Sequence, residues 1–128
     1  MIRLASSSLM AGALAASLTL AAPALAQTQA ALNANAARDA RSADQALNAQ
    51  YTTTMAGLST PTRLLLRNAQ RSWISFRDQE CRLRASGVQG GSAFPMVQSM
   101  CVAQLTQERT RQLRQLAQCE EGDLSCPR

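Results

Sequence analysis

Two glutamates and two arginines form the group of residues best suited to chemistry. Glu80 and Glu108 fall on the apolar faces of two predicted helices, close to Arg77 and Arg109 respectively. A pair of carboxylates could act as acid and base in glycoside cleavage. However, the chain offers no evident substrate cleft and few aromatic residues to stack a sugar. Since an unpaired buried charge is expensive, we favour an Arg–Glu network that fixes the register between two helices.

The four cysteines, Cys81, Cys101, Cys119 and Cys126, could bind a metal or form disulfides. A zinc set is poorly supported because the chain has no Cys-x-x-Cys pair and no histidine. Two disulfides are therefore favoured, with three possible connectivities. Antiparallel helix packing would bring Cys81 to Cys101, in a bridge worth roughly 3 kcal/mol, and Cys119 would then pair with Cys126. We expect no metal and no cofactor.

The charged residues restrict the function further. All 13 basic residues are arginine, and no histidine is present to act as a general base. Without Arg3, which lies in a predicted signal peptide, 12 basic groups stand against 8 acidic ones, a net charge of +4 that favours acidic partners. With so few aromatic residues to stack bases, we expect no nucleic-acid partner. These features favour a binding protein over an enzyme.

Residues 1–26 have the layout of a secretory signal peptide. A charged start at Arg3 precedes an apolar core, which ends in Ala24-Leu25-Ala26. Cleavage after Ala26 is favoured, although Ala22-Pro23-Ala24 also fits. The apolar run is short for a membrane span, and no cysteine follows for lipid attachment. We therefore predict a periplasmic or secreted protein that is not integral to a membrane.

Three helices are predicted to hold the candidate residues. The first begins at Ser42, which can form a capping box with Gln45, after a flexible or weakly helical lead-in over residues 27–41. Thr60 and Ser92 are the predicted caps of the second and third helices. No segment alternates like a strand. The expected fold is all-α: a small disulfide-stapled three-helix domain over residues 42–118, with a disulfide-tied tail over residues 119–128.

The second helix is predicted to bury a stripe of Leu66, Ala69, Trp73 and Phe76. Trp73 is interpreted as a core residue in preference to a ligand platform.

Two further features have both a binding and a structural interpretation. Arg63, Arg67 and Arg71 form a basic ridge at steps of four, which is either a binding surface or a solvated helix face. Gly90-Gly91-Ser92 could cradle an anion at a helix start. A hairpin turn is the simpler interpretation of that segment.

Several of these residues also form a recognisable pattern. Its blocks are Asp44-x-x-Leu47-Asn48-x-x-Tyr51, then Gln70-x-x-Trp73-x-x-Phe76-Arg77-Asp78-x-x-Cys81, then Gly90-Gly91-Ser92, and finally Cys101 followed by Leu105-Thr106 and Arg109. From roughly Ser42 to Leu116 the chain resembles the LprI-type lysozyme-inhibitor family, or LprI-like N-terminal domain. The resemblance implies a small helical periplasmic domain, a Cys81–Cys101 disulfide and inhibition of a lysozyme. It transfers no catalytic residue. Members often have a second cysteine pair upstream, whereas here that pair follows the last helix.

We therefore expect an exported binding protein that inhibits a lysozyme or another muramidase. Repulsion between two cationic proteins argues for an acidic or neutral enzyme as the partner. The alternative is an envelope interaction module, whose basic ridge of Arg63, Arg67 and Arg71 would bind anionic lipid, wall polymer or an acidic protein.

Overall fold

A computed structural model of the 128-residue chain describes residues 28–120 and 122–127, so the predicted signal peptide lies outside the described residues. It contains three long helices: α1 (Gln29–Ala56), α2 (Thr60–Arg84) and α3 (Phe94–Ala117). A single 3-10 turn at Ser86–Val88 lies between α2 and α3. The described residues form no strand, so the all-α class is confirmed.

Helix α1 begins much earlier than predicted. It starts at Gln29 and runs without a break through Ser42, so the predicted helix start at Ser42 is wrong and residues 29–41 are not a separate lead-in. The side chain of Thr28 caps the helix, because its Oγ1 accepts a hydrogen bond from the Ala31 N–H at 3.2 Å. Alanine has the highest helix propensity, and Ala36 is buried although it offers little apolar surface.

The starts of α2 and α3 differ from the predicted caps by one residue. Ser59, and not Thr60, occupies the N-cap position of α2, and a proline lies in the first turn as expected. Ala93, and not Ser92, precedes α3. The carbonyl oxygen of Ser92 instead accepts a hydrogen bond from Asn33 Nδ2 at 2.9 Å, which joins this loop to α1.

The core is a small leucine cluster between the three helices. It comprises Leu47, Leu58, Leu66 and Leu113, and it is surrounded by the partly buried Tyr51, Met55, Trp73 and Leu116. The fully buried Thr54 adds a polar link, since its Oγ1 donates to the carbonyl oxygen of Leu113 at 3.0 Å. Helices α1 and α3 therefore form the main packed pair.

Helix α2 contributes only a narrow strip to this core. Of its 25 residues, only Leu66, Gln70 and Cys81 are buried. The predicted burial of Phe76 is wrong, because its side chain is 55% exposed. Arg77 takes the inward position one residue later, and a helix turns about 100° per residue, so Phe76 points away from the core. Ala69, on the same helix, is also exposed, so its predicted burial is wrong as well.

Two disulfides reinforce the fold, and both pairings agree with the predicted ones. Cys81 on α2 is bonded to Cys101 on α3, with 5.5 Å between their Cα atoms, and both residues are buried. Cys119 is bonded to Cys126, also with a Cα–Cα distance of 5.5 Å, and closes the tail. The first bridge holds α2 against α3 near the glycine turn, where α2 has few other buried residues.

Candidate functional site

Arg77 joins all three helices at the centre of the family-like pattern. From α2, its Nη1 lies 2.8 Å from Asp44 Oδ1 on α1 and donates to Thr106 Oγ1 on α3 at 3.2 Å. Its Nε and Nη2 both lie 2.9 Å from Asp78 Oδ1. The side chain of Arg77 is only 11% exposed. A planar guanidinium with five donors suits such a junction, so Arg77 sets the position of α2 relative to α1 and α3.

Trp73 lies between two guanidinium groups. The Cζ atoms of Arg77 and Arg109 are 5.4 and 5.9 Å from the centroid of its ring, which is within the range of cation–π attraction. Arg109 Nε donates to Gln70 Oε1 at 3.0 Å, and its Nη1 donates to Gln112 Oε1 at 3.1 Å. Burial lowers the pKa of Arg109 below its ordinary value. Trp73 is therefore only partly buried and packs against the edge of the leucine cluster, whereas the sequence predicted a core residue.

The prediction that Glu80 and Glu108 belong to a network joining two helices is wrong. Glu80 Oε1 accepts from Arg84 Nε at 2.8 Å within α2, and Glu108 pairs with Arg111 within α3. Neither glutamate links two helices, and the carboxylates bound to Arg77 come from Asp44 and Asp78.

Two partners of the arginines were missed as contacts, although both lie in the quoted pattern. Asp44 precedes the buried Leu47 by three residues, so both lie on the face of α1 that meets the other helices. Gln70 is likewise buried, three residues before Trp73. Their polarity concealed them, because a search for apolar periodicity passes over polar residues on an inward face.

The remaining pattern residues have structural positions. Thr106 is fully buried and Leu105 is half-buried on α3. Gly90 has a φ of 80°, a value that favours glycine, and the Gly91 N–H donates to the carbonyl oxygen of Val88 at 3.0 Å. Since this N–H is already bonded within the loop, the segment is a turn between α2 and α3.

The contacts of Arg77 and Arg109 join helices to one another, which is the role of a scaffold. Over residues 28–120 and 122–127, no group of three or more His, Cys, Asp or Glu residues is placed to hold a metal ion. The two glutamates considered for glycoside cleavage are held by arginines of their own helices. None of the described helices has the length and apolar content needed to cross a membrane.

The basic ridge is divided into two parts. Arg63 Nε donates to the carbonyl oxygen of Met55 at 2.9 Å, and its Nη2 donates to that of Ala56 at 3.3 Å. It therefore caps the C-terminal end of α1, where cations are favoured. Arg67 and Arg71 are exposed, and neither forms an ion pair with another described residue. Arg63 is exposed but bonded to the end of α1, whereas no side-chain bond of Arg67 or Arg71 is seen among the described residues.

A face of α2 that the sequence patterns did not identify points away from the core. Leu65, Phe76 and Leu83 are 68%, 55% and 68% exposed, and we call them with the small polar residues between them the outer face of α2. A shallow groove that is largely open to solvent follows its second half. The groove is lined by Ser72, Ser75, Phe76, Gln79, Glu80 and Leu83.

Comparison with known proteins places these features in a family. The family model described as lysozyme inhibitor LprI matches residues 21–113, a span that includes all of α1 and α2 and most of α3. An uncharacterized protein of Rhizobium meliloti (strain 1021) is 36% identical over 104 residues, covering 71% of this chain and 75% of that protein. No solved structure matches the chain. Because this family model matches more than half of its residues, the chain belongs to the LprI lysozyme inhibitor family.

Proposed function

We propose that the protein is exported to the periplasm or the medium and inhibits a lysozyme or related muramidase by binding to it. The observation that carries the proposal is the family match over residues 21–113, because it covers the whole region in which the three helices are joined. Disulfides are typical of exported proteins, and this chain has two among its described residues. The signal-like residues 1–26 support the same location.

A rigid scaffold supports inhibition by occupancy. The Cys81–Cys101 bridge and the three-way bonds of Arg77 hold α2 in one position before any partner arrives. A binder that is already ordered loses less conformational entropy when it associates. Inhibition of this kind requires only that the enzyme's cleft be covered, and no bond in the inhibitor needs to form or break.

The net charge of the mature chain favours some muramidases over others as binding partners. Twelve arginines against eight carboxylates in residues 27–128 give a net charge of +4. Like charges slow the encounter of two proteins and opposite charges accelerate it. We therefore propose an acidic or neutral muramidase as the partner in preference to a strongly cationic one.

Titration against purified muramidases tests the proposal. Oxidised mature protein is added in increasing amounts to acidic, neutral and basic enzymes, and cleavage of a soluble oligosaccharide is followed. We expect a saturable loss of activity with at least one acidic or neutral enzyme. A soluble substrate is essential because a protein that merely coats cell walls would also slow the lysis of whole cells.

The same chain with its disulfides reduced and alkylated is the matched control. It has an unchanged sequence but lacks both bridges, so it should inhibit much less. If the oxidised protein leaves every enzyme fully active at large molar excess, the proposal is refuted.

A second candidate is an envelope module that binds anionic lipid or wall polymer. Exposed Arg67 and Arg71 support it, whereas Arg63 is engaged at the end of α1. Binding to anionic vesicles or purified wall polymer, with loss of binding as salt is added, would support this candidate. Its test needs no enzyme, so the two candidates can be separated.

A further inference from the structure

The outer face of α2 combines exposed apolar side chains with regular spacing. Phe76 follows Leu65 by 11 residues and Leu83 follows Phe76 by seven, and both intervals are close to whole helical turns. The three side chains therefore form one stripe, about 27 Å long at a rise of about 1.5 Å per residue. Exposed apolar side chains that share one helix face mark interaction sites more often than scattered exposed residues do.

Small polar residues leave space beside the stripe. Ser72, Ser75 and Gln79 line the open groove next to Phe76 and Leu83. Arg71 lies four residues before Ser75 and Arg82 seven residues after it. At about 100° per residue, both lie roughly 20–40° beyond Ser75 around the helix, on the side away from Phe76. The face thus has an aromatic and aliphatic edge, a shallow centre and a cationic edge.

The positive charge of the protein is concentrated on this helix. Helix α2 has six arginines and two carboxylates, a net charge of +4, which equals that of the whole mature chain. The two carboxylates are paired with Arg77 and Arg84, so they do not offset the exposed Arg67, Arg71 and Arg82. A partner that fits this face must offer apolar surface next to negative charge.

We propose that the outer face of α2 docks into the substrate cleft of the inhibited muramidase. A cleft that cleaves glycosides contains a pair of carboxylates and apolar surface against which sugar rings lie. Phe76, with Leu65 and Leu83, fills the apolar part, and Arg71 and Arg82 approach the carboxylates. Exposed aromatic and arginine residues are enriched where interfaces gain most of their affinity. This inference rests on the proposed function and names the surface that performs it.

Substitutions on the outer face test the inference. Phe76→Glu and Leu83→Glu each remove an apolar contact and add a negative charge that would face the carboxylates of the cleft. Met100→Glu is the matched control, because Met100 is 58% exposed but lies on α3, away from this face. Inhibition constants are measured with a soluble substrate on a muramidase that the unaltered protein inhibits. Thermal unfolding of each variant establishes that it is folded.

We expect Phe76→Glu and Leu83→Glu to weaken inhibition at least tenfold, and Met100→Glu to change it less than twofold. If the first two variants are folded and inhibit like the unaltered protein, the docking surface is wrong while the proposed function stands. If the unaltered protein inhibits no muramidase, the proposed function fails first and this inference fails with it.

A second copy of the chain is the other occupant that the experiment can detect. Sedimentation of the unaltered protein and of Phe76→Glu at the assay concentration measures self-association. A dimer that Phe76→Glu dissociates without loss of inhibition would overturn the inference, because the face would then be an interface between two copies. A monomer that loses inhibition on substitution supports it.

Discussion

Most residues of helix α2 are exposed, but Arg77 on this helix faces inward. Its guanidinium is nearly buried, yet its partners Asp44 and Asp78 are each 46% exposed. The carboxylates therefore retain part of their hydration while the arginine gains bonds to α1, α2 and α3. Removal of Arg77 would release the aspartates to water, so the main loss would be the junction itself and the packing on Trp73.

Replacement of Arg77 by alanine should destabilise the fold by about 2 kcal/mol, below the range for fully buried pairs because its partners are half exposed. Arg84→Ala is the control, since it removes an exposed pair within one helix and should cost less than about 0.5 kcal/mol. Arg77→Lys should fall between them, because lysine keeps the charge but not the planar fork. Urea unfolding of the oxidised protein measures all three. Equal losses for Arg77→Ala and Arg84→Ala would contradict the role assigned to Arg77.

Asp123, in the described part of the tail, has a shifted pKa. Asp123 Oδ1 accepts from the Ser125 hydroxyl at 2.7 Å and from the Ser125 N–H at 2.8 Å, and these bonds lower the pKa of Asp123. Because the folded tail favours the carboxylate, its contribution to tail order is present above the ordinary aspartate pKa. That contribution is lost as the pH falls through the lowered pKa. Ser125→Ala should raise the pKa of Asp123 part of the way back, which NMR titration of the carboxyl carbon would measure. An unchanged pKa would contradict the hydroxyl bond.

At the scale of the elements, the all-α class and the two disulfides were predictable from the sequence, whereas the start of helix α1 was not predicted correctly. Pro61 and the glycines before Phe94 mark the limits of α2 and α3 in the sequence itself. The alanine-rich start of α1 has no comparable boundary residue. Whether its alanines are buried depends on how closely α3 approaches, and the local sequence does not show this. Apolar periodicity predicts which face of a helix turns inward only when large side chains lie there. Apolar periodicity likewise predicted that Phe76 faces the core, whereas the polar Arg77 takes the inward position.

The revised α1 can be tested through its small buried side chains. Ala36 is 6% exposed, so Ala36→Asp places a charge in a close contact and should destabilise the fold by about 2–3 kcal/mol. Ala34→Asp, on the exposed side of the same helix, should cost only about 0.5 kcal/mol through lower helix propensity. Urea unfolding followed by circular dichroism compares them. Two equally small losses would mean that residues 29–41 form the flexible or weakly helical lead-in that the sequence predicts.

The two disulfides should differ in their contribution to stability. Cys81–Cys101 joins two helices across 20 positions of sequence and should contribute roughly 3 kcal/mol by restricting the unfolded chain. Cys119–Cys126 spans seven positions in an exposed tail beyond α3, so its loss should leave the helical core nearly unchanged. The double variants Cys81→Ala/Cys101→Ala and Cys119→Ala/Cys126→Ala, compared by urea unfolding, measure the difference. A larger loss from the tail pair would contradict this order.

At the scale of the whole molecule, charge and rigidity act together. The net charge of +4 belongs to α2, and the remaining charges of the mature chain cancel. Since α2 is fixed by a disulfide to α3 and by Arg77 to α1, its positive field has a constant direction. A fixed field orients an acidic partner during the encounter and raises the association rate more than it lowers the dissociation rate.

The association rate should therefore depend on where the arginines lie as well as on the net charge. Arg71→Gln/Arg82→Gln removes two charges from α2, whereas Arg41→Gln/Arg114→Gln removes two exposed charges from α1 and α3. At low salt the first variant should associate with an acidic muramidase several-fold more slowly, and the second should associate at nearly the unaltered rate. The difference should shrink as salt shortens the range of the field to about 8 Å at physiological ionic strength. Stopped-flow association rates over a salt series provide the measurement. Equal slowing in both variants would show that only the net charge steers the encounter, and that the orientation of α2 does not contribute.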